Sequence, residues 1–79
     1  MTTLVRPSQS CILLKRLGRN IRRVRKQKTL SQYKLADLFH INRSYLAEVE
    51  KGKENPTVKF LYKIAKVMRV KVEELTENM

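Results

Sequence analysis

Residues 31–56 read Ser31-Gln32-Tyr33-Lys34-Leu35-Ala36-Asp37-Leu38-Phe39-His40-Ile41-Asn42-Arg43-Ser44-Tyr45-Leu46-Ala47-Glu48-Val49-Glu50-Lys51-Gly52-Lys53-Glu54-Asn55-Pro56. Two short helices account for the pattern. Ser31 suits an N-cap, its hydroxyl accepting a backbone N–H of the next turn. Leu35, Ala36, Leu38 and Phe39 then form a buried face, and Ala36 is small enough for a second helix to cross closely. His40-Ile41-Asn42 makes the turn, with Asn42 as the next cap. The following helix runs from Arg43 to about Lys51, buries Leu46 and Val49, and ends at Gly52, which accepts a left-handed conformation without steric cost. Helices this short are held by tertiary packing, so the flanks must complete a bundle.

The flanks have the right periodicity. Leu13, Leu14, Leu17, Ile21 and Val24 mark one apolar stripe, so a first helix is expected from about Ser10. Leu30 returns to the core before Ser31. Thr57 caps a fourth helix with Val58, Leu61, Ile64, Ala65 and Met68 inside, and with Lys59, Lys63 and Lys66 toward water. Val70, Val72 and Leu75 mark a short fifth helix that fades by Glu77. No run has strand period. The expected fold is all-α, a compact bundle of five helices over residues 10–79. Residues 1–9 show no periodicity and Pro7 disfavours a helix through them, so they read as a flexible arm.

Composition narrows the function. Seventy-nine residues make one small domain, which rarely holds both a core and an enclosed substrate cavity. The single cysteine, Cys11, excludes an internal disulfide framework and any multi-cysteine zinc site, and fits a reducing, cytoplasmic setting. Cys11-Ile12-Leu13-Leu14 is too short for a signal core, and no apolar run approaches the ~18 residues of a membrane span. One histidine, one cysteine and no grouped carboxylates supply no nucleophile–base set and no metal site. An enzyme is the least supported class, and neither a cofactor nor a small-molecule ligand is expected. His40 reads as a turn residue.

Charge points to the partner. The net charge is +11, and residues 1–36 carry ten basic side chains and no acidic one. All seven acids lie from Asp37 onward. Solubility alone does not require an unmixed positive segment, whose self-repulsion opposes folding. A polyanion, and nucleic acid first among polyanions, fits that distribution.

Advancing ~100° per residue along the second helix of the pair puts Leu46 and Val49 inside. Ser44, Ala47, Glu48 and Lys51 lie opposite, flanked by Arg43 and Tyr45. Side chains at such a helix start reach base edges in a DNA major groove. Arg43 can donate two hydrogen bonds to guanine, Ser44 can bond several bases, and Ala47 offers a methyl contact. Tyr45 either packs on the sugar–phosphate wall or roofs the core. Glu48 can accept from cytosine, yet near phosphate it repels. Gln32, beside the free N–H groups of its helix, is placed for a backbone phosphate, as are Lys53 and Asn55. Lys34 and Lys51 are weaker phosphate candidates.

From Leu17 to Leu75 the chain resembles the Cro and phage-repressor-like (XRE) helix-turn-helix family, through Ser31-Gln32, Leu35-Ala36, Ile41, Tyr45-Leu46, Val49-Glu50, Gly52-Lys53 and Asn55-Pro56. The resemblance implies a lambda-repressor-like bundle that binds double-stranded DNA as a homodimer to regulate transcription. It also implies an ion pair between Arg25 and Glu50, which the residues alone read as two solvated charges. The family commonly has glycine near Thr29, at His40 and at Arg69; His40 is expected to take a left-handed conformation and keep the turn, whereas Thr29 and Arg69 are expected to give slightly different helix endings. Asn42-Arg43-Ser44-Tyr45-Leu46 with Glu48-Val49-Glu50 looks most like the controller proteins of restriction–modification systems. Prophage regulators share much of this pattern, and an antitoxin with a protein partner can use the same domain. Met68, Val70, Val72 and Leu75 are candidates for the dimer surface, or equally for the monomer's own core.

Overall fold

The computed structural model describes residues 7–79, with side chains from Cys11 onward. Among the described residues every regular element is a helix: α1 (Pro7–Gln27), α2 (Gln32–Phe39), α3 (Arg43–Glu50), α4 (Val58–Met68) and α5 (Val72–Leu75). Helix α1 starts at Pro7, three residues before the expected Ser10. Proline suits the first helical position, because the N–H it lacks would have no intrahelical acceptor there. Residues 1–6 of the expected arm lie outside the described residues.

All five helices contribute to one core. Leu17, Ile21 and Val24 of α1 meet Leu35 and Ala36 of α2, Leu46 and Val49 of α3, Leu61, Ile64, Ala65 and Met68 of α4, and Leu75 of α5. Phe60 joins three elements at one edge. Its ring meets Phe39 edge-on with centroids 5.0 Å apart and Tyr45 likewise at 5.5 Å. Such pairs add to the gain from burial itself.

Several residues expected inside are not. Leu13 is exposed, and so are its neighbours Cys11 and Ile12. Three consecutive exposed residues sample most of a helix circumference, so the start of α1 runs past the bundle. Leu38 and Val58 are also exposed. Helix α2 is covered along the line of Leu35, Ala36 and Phe39, which Leu38 misses. Val58 opens α4 ahead of the turn at which its stripe reaches the core. Met68 and Leu75 are buried in the monomer's own core, the second of the two roles open to them. Val70 and Val72 are only half-buried.

Helix starts follow the caps read from the sequence. Ser31 Oγ accepts from Lys34 N at 2.9 Å, Asn42 Oδ1 from Ser44 N at 2.7 Å, and Thr57 Oγ1 from Phe60 N at 3.0 Å. The ends of α1 to α4 share one device. Leu30 N donates to Arg25 O, Ile41 N to Ala36 O, Lys53 N to Glu48 O and Val70 N to Ala65 O, at 2.9–3.0 Å. Each bond closes a Schellman turn around a left-handed residue. Gly52 supplies that residue once, at φ 79°; elsewhere it is Thr29 (55°), His40 (59°) and Arg69 (60°). His40 holds the turn as expected, and the differences expected at Thr29 and Arg69 are absent. The chain keeps the left-handed geometry without glycine.

One close approach fixes how α1 meets α3. A Cβ at Gly18 would overlap the backbone carbonyl oxygens of Val49 and Glu50. Bare backbone at this position lets the end of α3 sit against α1, which in turn aims its start outward.

Candidate nucleic-acid interface

The three-residue turn His40–Asn42 and the Ala36 crossing set α3 against α2 with its Arg43 end free. Arg43 and Ser44 are exposed. The Ser44 amide is used by the Asn42 cap, which leaves its hydroxyl without a partner among the described residues. Ala47 and Glu48 are partly exposed on the same face. Glu48 Oε2 lies 3.6 Å from Lys51 Nζ, one turn on. An exposed pair of this kind is weak, but it softens the repulsion that Glu48 would exert on a phosphate and engages part of Lys51. Tyr45 is half-buried against Phe60. Its ring roofs the core, and only its outer edge is open to a partner.

The phosphate candidates separate by environment. Lys34, Lys53 and Asn55 are exposed. Gln32 is half-buried, and its Nε2 donates to Glu50 Oε1 at 2.9 Å. One amide hydrogen is thereby committed inside the protein, and the other remains for an outside acceptor.

Behind this surface lies a charged network. Arg25 Nε donates to Glu50 Oε2 at 2.7 Å and Arg25 Nη2 to Glu50 Oε1 at 3.0 Å, while Nη1 donates to Leu30 O at 2.8 Å. The two side chains are only 8% and 3% exposed. A two-point geometry of this kind is the strong form of an arginine–carboxylate pair. It ties α1, the α1–α2 loop, the first turn of α2 and the end of α3 into one unit, so the phosphate candidate Gln32 and the reading helix share a support.

Two features escaped the sequence reading. Tyr33, on the first turn of α2, is 72% exposed, and Arg22 of α1 lines an open cleft with Gln32, Tyr33 and Arg43. Neither follows from helical periodicity alone, since both depend on how α1 crosses the starts of α2 and α3. Among the described residues no group of three or more His, Cys, Asp or Glu could hold a metal ion, and no helix is long and apolar enough to cross a membrane.

A helix-turn-helix family model matches residues 21–75. An uncharacterized HTH-type transcriptional regulator of Sinorhizobium fredii is 36% identical over 61 residues, which is 77% of this chain and 79% of that protein. The immunity repressor protein of Bacillus phage phi105 is 32% identical over 59 residues, 75% of this chain but only 41% of the repressor. Among solved structures, the restriction–modification controller protein C.AhdI of Aeromonas hydrophila superposes with a TM-score of 0.75 at 35% identity, covering 78% of this chain and 94% of the controller. The controller protein C.Esp1396I gives 0.72 at 30%, covering 80% and 86%. This chain belongs to the XRE-type helix-turn-helix family of DNA-binding transcriptional regulators.

Proposed function

We propose that this regulator binds a twofold-symmetric DNA operator as a homodimer, each protomer reading one half-site with the exposed start of α3. The observation that carries the reading is the unpartnered pair Arg43 and Ser44 at that helix start, held rigidly from behind by the Arg25–Glu50 pair. Arg43, Ser44, Ala47 and Glu48 read base edges, and Tyr45 contributes its outer edge. Gln32, Lys34, Lys51, Lys53 and Asn55 fix the backbone register. Phosphate contacts position such a protein, and base contacts specify the site.

For the dimer, the groove between α4 and α5 is the favoured surface. Exposed Tyr62 lies there with Val70 and Val72, bordered by Lys63, Lys66, Lys71 and Glu73. A twofold pairing can set lysines of α4 in one protomer opposite Glu73 of the other. Half-sites would then lie about one helical turn apart, ~34 Å. The controller-protein likeness favours a regulator of a restriction–modification operon, acting on cytoplasmic DNA as a binding protein rather than an enzyme. An antitoxin with a second protein partner is the alternative.

Selection of bound duplexes from a random pool tests the reading. The wild-type chain should recover an inverted repeat; recovery of no preferred sequence would sink it. Arg43→Ala and Ser44→Ala should relax base preference, while Lys53→Ala should weaken all sequences alike.

A further inference from the structure

Three arginines of α1 stand close together in sequence, and the fold treats them differently. Arg25 is committed to Glu50 and Leu30 O. Arg23 Nη1 donates to Asn20 Oδ1 at 2.9 Å, and its Nη2 to Glu77 Oε1 at 3.0 Å and Glu74 O at 3.3 Å. Arg22 is exposed and has no hydrogen-bond or ion-pair partner among the described residues. It lines the cleft where α1 crosses the starts of α2 and α3, together with Arg25, Ser31, Gln32, Tyr33 and Arg43.

The charge in that cleft is uncompensated. None of its lining residues is acidic, and both carboxylate oxygens of the nearby Glu50 are already taken, by Arg25 and Gln32. Arg22 and Arg43 therefore face one recess with no anion between them, an arrangement that repels itself until an anion enters. Tyr33 also lines the cleft and is 72% exposed, able to lie along a sugar while its hydroxyl donates. The cleft is open to solvent and measures about 730 Å³, room for a group larger than a simple ion.

The geometry points to a phosphodiester seat. Arg22 donates to a DNA backbone phosphate, Gln32 adds its second amide hydrogen, and Tyr33 packs on the adjoining sugar. This extends the footprint from the helix-turn-helix to α1, and rests on the DNA-reading function proposed above. Because Arg43 shares the cleft, the phosphate belongs to the strand flanking the bases that Arg43 reads. Seating it fixes how deeply α3 enters the groove.

The test compares Arg22→Ala with Lys26→Ala, which removes the same charge from the exposed surface of α1 outside the cleft. Binding is measured over a salt series to a duplex recovered from a random pool, and to its scrambled version. Arg22→Ala should weaken both duplexes on the order of tenfold, and should reduce the salt slope by about one. Lys26→Ala should change either by about twofold or less. The duplex is then scanned with single neutral methylphosphonates. At one backbone position per half-site the penalty of Arg22→Ala should vanish, with Arg22→Gln behaving alike. Equal losses from Arg22→Ala and Lys26→Ala, or penalties that multiply at every position, would overturn the seat while leaving the DNA-reading function intact. Failure of the wild-type chain to bind duplex would overturn both.

Discussion

Arg25 and Glu50 meet through two parallel hydrogen bonds, at 2.7 and 3.0 Å, with both side chains almost wholly removed from solvent. Burial makes the pair unforgiving. Removing one partner strands the other charge, at a cost on the order of 3 kcal/mol. Glu50→Gln should lower the melting temperature by about 15 °C in a domain this small. Replacing both residues by apolar ones of similar volume should cost less than the sum of the two single changes. A thermal melt of the three variants decides the matter. Additive losses would mean that the two side chains act independently.

Thr29, His40 and Arg69 hold the left-handed conformation that Gly52 adopts freely. An L side chain there carries roughly 1–2 kcal/mol of strain, and a β-branched one is the least tolerated. Glycine gives back part of that gain through the unfolded state. Thr29→Gly should still stabilise by about 1 kcal/mol, with His40→Gly and Arg69→Gly gaining less. Urea midpoints at constant slope would measure it. A lowered midpoint for Thr29→Gly would show that its contacts outweigh its strain.

These two features show where the sequence is informative. Caps and stripes are local, so Ser31, Asn42, Thr57 and the Leu46–Val49 face were legible from spacing alone. The partnership of Arg25 with Glu50 spans two helices and entered only through the family resemblance. Leu13, Leu38 and Val58 satisfied the apolar pattern, yet exposure depends on where neighbouring helices end. Met68 and Leu75 were open to either a dimer or a core role, and only packing could choose. Arg22, Tyr33 and Gly18 were missed because their importance arises at crossings, which no single helix encodes.

Gly18 offers a test by reversal of sign. In an ordinary helix interior, alanine is better than glycine by about 1 kcal/mol. Here the added methyl would strike carbonyl oxygens of Val49 and Glu50, and backbone yields far less readily than a side-chain tip. Gly18→Ala should therefore destabilise the protein by about 2 kcal/mol. Chemical denaturation would read the sign directly. A stabilised variant would mean that α1 and α3 can separate at no cost.

Tyr45 has a packing role and a candidate DNA role that substitution can divide. Its ring meets Phe60 edge-on at 5.5 Å. Tyr45→Phe should preserve stability, whereas Tyr45→Ala should lose roughly 3 kcal/mol through the vacated space. If the hydroxyl touches DNA, Tyr45→Phe should weaken binding with its melting point unmoved. Unchanged affinity in a stable Tyr45→Phe would confine Tyr45 to the core.

The C-terminal segment hangs on one buried amide. Asn20 Nδ2 donates to Leu75 O at 3.1 Å and to Glu77 O at 2.8 Å, while its Oδ1 accepts from Arg23. Both amide hydrogens thus serve the end of α5, a helix of only four residues, which is too short to persist without tertiary support. Asn20→Ala leaves the two carbonyls without that donor and should cost about 2 kcal/mol. The loss should be local. Amide exchange should accelerate in α5 while α2 and α3 keep their protection. Because Val72 belongs to the proposed dimer surface, self-association should weaken in parallel. Unchanged exchange in α5 would mean that burial of Leu75 and the Arg23 bonds hold the segment, and that Asn20 merely fills space.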